Sequence, residues 1–279
     1  MQGVIPDFHT SLSTPDGEIY MIGGRNGKNN DEKYNEVYTV DMPNKRLIKK
    51  ASMKDKRDSH ASCYAGGFIY VIGGVTLRDN KRTVLRSCER YDIVKDEWAE
   101  IAQVNMPVCN HCACVFNEKY IFCFGGRCQP EVLSNYIFKY TIENNTWTCI
   151  KLLDHTQRFA LTSQAACCQI NEDFMFIFGG YQQNRAASNQ SFLCTFSSPE
   201  DPNKHKTDSN KKDLCLIKQL NVKRIDNAAP FWDKQIIVHN EKIYCLQNEI
   251  AANNSKMVYS NRRRLMVFDG EQWHNLSNP

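Results

Sequence analysis

The residues in this sequence best suited to chemistry are its thiols and imidazoles. Cys109, His111, Cys112 and Cys114 follow one another as C-x-H-C-x-C, a set of soft ligands of the kind that holds zinc. Structural zinc sites, however, pair their ligands at C-x(2–4)-C with a second pair some distance away. Strand alternation also puts Cys112 and Cys114 on one face and His111 on the other. Cys167 and Cys168 sit at an equivalent level further along and point to opposite faces, so they do not complete a set. The expectation is small residues in a crowded strand and no metal. The seven histidines, at 9, 60, 111, 155, 205, 239 and 274, read as scattered over non-equivalent positions. Acids are nearly absent from the runs that carry the cysteines, so a general acid and base would have to come from loops. G-x-G-x-x-G and P-loop patterns do not occur, so no nucleotide, and no other cofactor, is expected.

Composition narrows the remaining classes. With 279 residues, 42% hydrophobic and 24% charged, the chain has the apolar content of a globular protein, which excludes disorder as its main state. Thirteen cysteines is an odd number in a long chain, and the start MQGVIPDFHT has no basic stretch followed by an apolar one. A reducing, cytoplasmic setting is therefore expected. No run approaches the roughly 18 apolar residues of a spanning helix; Tyr120–Phe124 is only about strand length, so no membrane partner is expected. The triplets at Asn144, Asn189, Asn253 and Asn275 match glycosylation acceptors and read as chance in an Asn-rich sequence. A net charge of +4, from 35 basic and 31 acidic residues, is too balanced for a nucleic-acid binder. The triplet Arg262–Arg264 reads as a solvated turn.

The elements that would position any site are announced by a repeat. EIYMIGG (18–24), FIYVIGG (68–74), YIFCFGG (120–126) and FMFIFGG (174–180) each end an apolar run on a glycine pair: Gly23–Gly24, Gly73–Gly74, Gly125–Gly126 and Gly179–Gly180. The steps between copies are 50, 52 and 54 residues, and KIYCLQN (242–248) is a fifth copy without the glycines. A second aromatic-bearing run follows each copy. Tyr91 leads to Trp98 and Tyr140 to Trp147, seven residues on, while Phe268 leads to Trp273. Upstream lie SHASCYA (59–65), HCACVF (111–116), QAACCQI (164–170) and QIIVHN (235–240). Each period thus holds four short strands and no helical periodicity. A four-stranded sheet of this size cannot bury both faces alone, and packing copies around an axis covers them.

The fold expected is all-β: a β-propeller of four-stranded antiparallel blades, one domain over 1–279, with repeats at about 4–53, 54–103, 104–153, 154–221 and 222–279. Small residues suit the crowded inner strands, the glycine pairs suit a sharp turn under a close backbone, and Tyr91, Tyr140, Trp98, Trp147 and Trp273 suit wedges between blades. The pattern of an apolar strand ending in Gly-Gly, then a spaced Tyr and Trp, resembles the kelch repeat family, whose period is about 50 residues. The resemblance covers essentially the whole chain and is weaker in repeats four and five. Repeat four carries the polar insertion 197–213. Five repeats are fewer than the family's usual six or seven blades, so either a five-bladed ring or an incomplete six-bladed one is expected. Gly3–Ile5 is the one candidate for a strand crossing the seam.

The resemblance implies a protein-interaction module, in a ubiquitin ligase, on the cytoskeleton or in another assembly. No BTB-type domain precedes the repeats, which points to a stand-alone adaptor or a fragment. It also admits enzymes, including copper-radical oxidases and a sialic acid mutarotase, as the alternative: a kelch-fold enzyme acting on a small molecule or carbohydrate in the central pocket. The loops between second and third strands and those between blades share one end, and together they sum to about +9 in formal charge. Arg25, Arg57, Arg78, Arg82, Arg127, Arg158, Arg185 and Arg224 lie around it, with Tyr34, Tyr181 and Phe231 as apolar anchors. The expectation is a non-catalytic scaffold that binds an acidic protein or peptide there through bidentate contacts. The oligomeric state is left open.

Overall fold

The computed structural model describes residues 6–26, 32–129, 132–134, 136–151, 162–172, 174–184, 191–197, 214–220, 236–239, 242–253, 256–268 and 273–276. They form five four-stranded antiparallel sheets, each a simple meander taken in chain order, with no helix among the described residues. Blade one consists of Thr10–Ser13, Ile19–Arg25, Lys33–Asp41 and Arg46–Lys50. Blade two consists of Ala61–Ala65, Phe68–Ile72, Cys88–Asp92 and Glu97–Ile101, and blade three of Cys112–Phe116, Tyr120–Phe124, Tyr136–Thr141 and Thr146–Lys151. Blade four consists of Ala166–Gln169, Phe174–Phe178, Ser191–Ser197 and Leu214–Leu220, and blade five of Ile236–His239, Lys242–Asn253, Lys256–Phe268 and Trp273–Asn275. The first strands stand side by side from blade one through blade five, as the staves of a radial β-propeller must. Gly3–Ile5 and the insertion from 198 to 213 lie outside the described residues.

The second strands show why the blades stack. In Phe68–Ile72, Ile69 and Val71 join Tyr20, Ile22, Met53 and Tyr91 between blades one and two. Tyr70 and Ile72 join Ile121, Cys123, Phe138 and Tyr140 between blades two and three. Period-two alternation with both sets apolar buries both faces of one strand, which is why these runs read as continuously hydrophobic.

Three segments read as loops contain strand. Val75–Arg78 pairs with Lys81–Val84, and Arg127–Gln129 with Val132–Leu133. In blade five the pairing runs on from Gln247↔Arg264 to Asn253↔Lys256, within the stretch read as a loop from 248 to 264. Polar, basic runs carry no apolar alternation, so hairpins that stand off the core leave no periodic signal. The first hairpin turns through Asp79 and Asn80, both at positive φ, the geometry whose twist matches that of its strands.

The glycine pairs sit where three backbones meet. Gly74 has φ +103°, and a Cβ there would lie 2.7 Å from the Asp58 carbonyl oxygen and 2.9 Å from His60 Cβ. A Cβ on Gly73 would lie 2.2 Å from the carbonyl oxygen of Val108 in the next interblade segment. That carbonyl accepts the Gly74 N–H at 2.8 Å, and the same bond recurs from Gly24 to Arg57 and from Gly126 to Thr162. These three pairs thus hydrogen-bond one blade to the next.

The tyrosine–tryptophan pairs are polar clamps as well as wedges. Trp98 Nε1 donates to the Ala51 carbonyl of the preceding blade at 2.9 Å, and Trp147 Nε1 donates to that of Ala102 at 2.8 Å. The same alanines donate their N–H groups to Asp96 and Asn145, each at 2.8 Å. The Tyr91 and Tyr140 hydroxyls donate to these two side chains in turn. The turn residue at this position completes a three-residue clamp. The Tyr91 hydroxyl and then the Ala51 N–H hold the Asp96 carboxyl below its usual range. A carboxylate with a lowered folded pKa contributes stability above its unfolded pKa of about 3.9, and loses it as pH falls through the folded value. Blade three uses an amide here, so Asp96→Asn should leave stability at pH 7 within about 0.5 kcal/mol and flatten the acid limb below about pH 4. Thermal melts from pH 7 to pH 3 check this.

Candidate functional site: the axial cleft and its basic rim

The segments leading into the first strands of blades one to four each enter through one residue at positive φ: Phe8 (55°), Ser59 (55°), Asn110 (54°) and Gln164 (62°). Their backbones form a chain of hydrogen bonds around the axis. Gln164 N–H donates to Asn110 O at 2.7 Å, Asn110 to Ser59 at 2.8 Å and Ser59 to Phe8 at 3.1 Å. The next residue is His9, His60, His111 or Ala165. Three of the histidines read as scattered therefore hold equivalent positions. The equivalence is present in the sequence, since His9, His60 and His111 follow one another at steps of 51 residues, and it is fixed in the fold by the bridge each segment makes to the residue after its glycine pair: Asp7↔Arg25, Asp58↔Val75, Cys109↔Arg127 and Ser163↔Tyr181. The same bridges put the two sets of connections at one end of the propeller.

Inside this collar is a cleft of about 460 Å³ with a mixed lining, whose polar residues include Asp7, His9, Thr10, Ser62, Asn110 and Gln164. His60 and Thr10 are joined at 2.8 Å between Nε2 and Oγ1, the His9 ring nitrogen Nδ1 meets the Pro6 carbonyl at 2.7 Å, and Gln164 Nε2 reaches Asn110 Oδ1 at 3.5 Å. Asp7 is the only carboxylate among the residues lining the cleft. Such a surface offers hydroxyl, amide and imidazole groups for hydrogen bonding.

The cysteines behave as packing. Cys112 Sγ contacts the Phe124 carbonyl at 3.7 Å, and Cys114 Sγ contacts Met175 Sδ at 3.2 Å. Burial pushes the thiols of Cys63, Cys123 and Cys167 up, and that of Cys88 to about 11. Neutral buried thiols are neither nucleophiles nor metal ligands. The eleven cysteines whose side chains the structure describes are free, and among the described residues no group of three histidine, cysteine or acidic side chains is placed to hold a metal ion.

The arginines around the rim divide sharply. Arg78 and Arg82 are exposed on the hairpin of blade two, beside exposed Lys81. Arg127 is half-buried at the root of the blade-three hairpin, and Tyr181 and Tyr34 are half-buried. Arg25 lies with its guanidinium carbon 4.2 Å from the centre of the Phe8 ring, and its Nη1 is 4.0 Å from the Asp58 carboxylate. Lys33, itself buried, reaches the same carboxylate at 2.5 Å. Arg158, Arg185, Arg224 and Phe231 lie outside the described residues.

Arg57 corrects the sequence reading. Its side chain is 0% exposed and takes no part in the rim. It pairs with Glu89 at 2.6 Å and Asp55 at 3.3 Å, and donates to the carbonyls of Gly73 and Ser87 at 2.8 and 2.9 Å. The sequence holds a signal for this that went unread. Arg57 occupies the position of Val108 and Thr162, and Glu89 that of Phe138, so two otherwise uncharged positions change together to opposite charges. Lys33 and Asp58 form a second buried ion pair. Trp273 pairs with Phe268 through the backbone.

A family model described as the Attractin/LZTR1 beta-propeller matches residues 19–279. Kelch-like protein 36 of Rattus norvegicus is 27% identical over 63% of this chain and 28% of its own length. Beta-scruin of Limulus polyphemus is 27% identical over 47% of this chain and 15% of its own. The chain thus matches less than a third of the length of these relatives. Among solved structures, that titled "Structure of YjhT" superposes with a TM-score of 0.70 at 13% identity, covering 97% of this chain and 83% of the other, a likeness of fold.

Proposed function

The chain belongs to the Attractin/LZTR1 β-propeller family and is a kelch-repeat propeller, and from that premise we propose that it is a non-catalytic interaction module whose loop end engages an acidic protein surface or peptide. The observation that carries the reading is the hairpin Val75–Val84. It stands on the same end as the axial cleft and presents Arg78, Lys81 and Arg82 to solvent, with Asp79 as the one acid in its turn. Guanidinium groups on a projecting element suit carboxylates in bidentate geometry. With Arg25, Lys33 and Arg57 held by Asp58 and Glu89, the accessible positive charge of the rim among the described residues concentrates on blade two. The cleft beside it offers neutral hydrogen-bonding groups to side chains that enter between the blades. Kelch-like relatives and beta-scruin support a protein partner, in a ligase adaptor or a cytoskeletal setting.

The test is binding of a Glu-rich peptide by the wild type and by the triple variant Arg78→Glu, Lys81→Glu, Arg82→Glu, followed by fluorescence anisotropy. The variant should bind at least tenfold more weakly, and wild-type affinity should fall steeply from 50 to 300 mM salt, because exposed charges are screened over about 10 Å at 0.1 M. Equal affinity for the two proteins would overturn the reading. The alternative, a kelch-fold enzyme, draws on the imidazoles and Asp7 in the cleft. It requires that Asp7→Asn abolish a turnover that the triple variant retains.

A further inference from the structure

The end opposite the loops is acidic. In each meander the turns joining strands one to two and three to four lie at that end, and among the described residues they expose Asp16, Glu18, Asp96, Glu118, Glu143 and Glu172 against Lys45, Lys95 and Lys119. Asp41 and Asp92 are there too, answered by Arg46 at 2.8 Å and Lys95 at 3.7 Å. The apices of two of these turns hold bare apolar side chains, Met42 at 65% and Val94 at 93% exposure. The basic hairpin and Phe8, 43% exposed, project from the other end. One molecule therefore carries complementary surfaces at the two ends of its axis, each with apolar side chains among its charges.

We propose that the turn end is an interaction surface for a second copy of this chain, stacked with its loop end on the turn end of the first. The proposal rests on the loop end being basic, as in the preceding reading, and adds that the protein itself supplies an acidic surface of the required kind. The contact is heterologous: different patches meet, so each added copy leaves both patch types open and the association is open-ended. Exposed ion pairs are individually weak and salt-sensitive, so the stack is reversible, grows with concentration and dissolves in salt. A ligand held on the loop end competes with it, which couples assembly to partner binding.

Sedimentation velocity of the full chain at 30 and 300 mM salt, over a hundredfold range of concentration, tests this. Wild type should sediment faster with concentration at 30 mM and as a monomer at 300 mM. Glu143→Lys with Glu172→Lys reverses charge on two exposed turns, and the triple hairpin variant reverses it on the other end. Each variant should stay monomeric alone, and an equimolar mixture should associate again because swapped charges meet. Wild type that remains monomeric at 30 mM, or variants that associate as wild type does, would overturn the proposal. The turn-end variant also separates the two readings: it should lose self-association and keep wild-type binding of the Glu-rich peptide. Peptide binding that is absent in wild type while salt-sensitive stacking persists would sink the partner reading and leave this one standing.

Discussion

Arg57→Leu should lower stability by about 3–5 kcal/mol, the range for removing one member of a buried ion pair. For a chain of this size that is on the order of 10 °C in melting temperature. The cost comes from what is left behind. Glu89 is buried, and after the substitution its carboxylate keeps the N–H groups of Lys54 and Asp55, at 2.7 and 3.2 Å, but no longer faces a cation. The Gly73 carbonyl loses its Arg57 donor as well, while that of Ser87 keeps only the Gly73 N–H at 3.1 Å. The substituted site lies between blades one and two, beside the bond from Gly24 to the Arg57 carbonyl, so the loss should be cooperative rather than a local fraying. Arg57→Leu with Glu89→Leu removes both charges and should recover more than half of the deficit, because replacing a whole buried pair by apolar groups is far cheaper than breaking it. Urea unfolding of the two variants decides the matter. A single variant within about 1 kcal/mol of wild type would show that Arg57 is not the clamp the geometry makes it. A charge reversal at Arg57 therefore reports on folding, whereas the same change at the exposed Arg82 leaves the core untouched and tests the proposed binding.

The second large effect belongs to Gly74. Valine at a φ of +103° takes a conformation that β-branched residues avoid, at about 1–3 kcal/mol of backbone strain. Its Cβ would also press on the Asp58 carbonyl at 2.7 Å and on His60. Relief of that contact breaks the paired bonds between Asp58 and Val75, at 2.8 and 3.0 Å, which hold the interblade segment beneath the blade. The expected loss is about 4 kcal/mol or more, strain and overpacking together. Gly67, with φ +85°, has nothing within 4 Å of a built Cβ. Gly67→Val should therefore show the strain alone. If the two variants melt together, the close approach at Gly74 contributes nothing, and if Gly74→Val melts with wild type the turn itself has been misassigned.

The repeat was legible because its causes are local and recur. A strand buried on both faces must be apolar at every position, a positive φ under a neighbouring carbonyl must be glycine, and the indole and phenol that clamp the preceding blade must be Trp and Tyr. Each requirement acts on residues a few positions apart, so spacing alone displayed the propeller. The hairpins at 75–84 and 127–133 were not legible, since they lie off the core and nothing selects an alternating pattern. The clamp was legible in part: Asp96 and Asn145 look like ordinary turn residues until the alanine N–H of the preceding blade is seen to approach them.

The candidate site divides along the same line. Charge at the loop end can be summed from sequence, because the meander assigns every connection to one end or the other. Whether a given arginine meets solvent depends on residues about 30 positions away that lie within 3 Å of it in the fold. Arg57 faces Glu89, while Arg78 and Arg82 face water, and no property of the three side chains distinguishes them. The recurrence of His9, His60 and His111 at steps of 51 residues stands in the sequence, but that their segments meet side by side at the axis is a tertiary fact. Sequence by itself determined the architecture and the sign of the charge at the loop end, because period and topology are local. Tertiary structure decided which charges are buried against a partner and where the cleft opens, because burial and convergence exist only once distant segments meet.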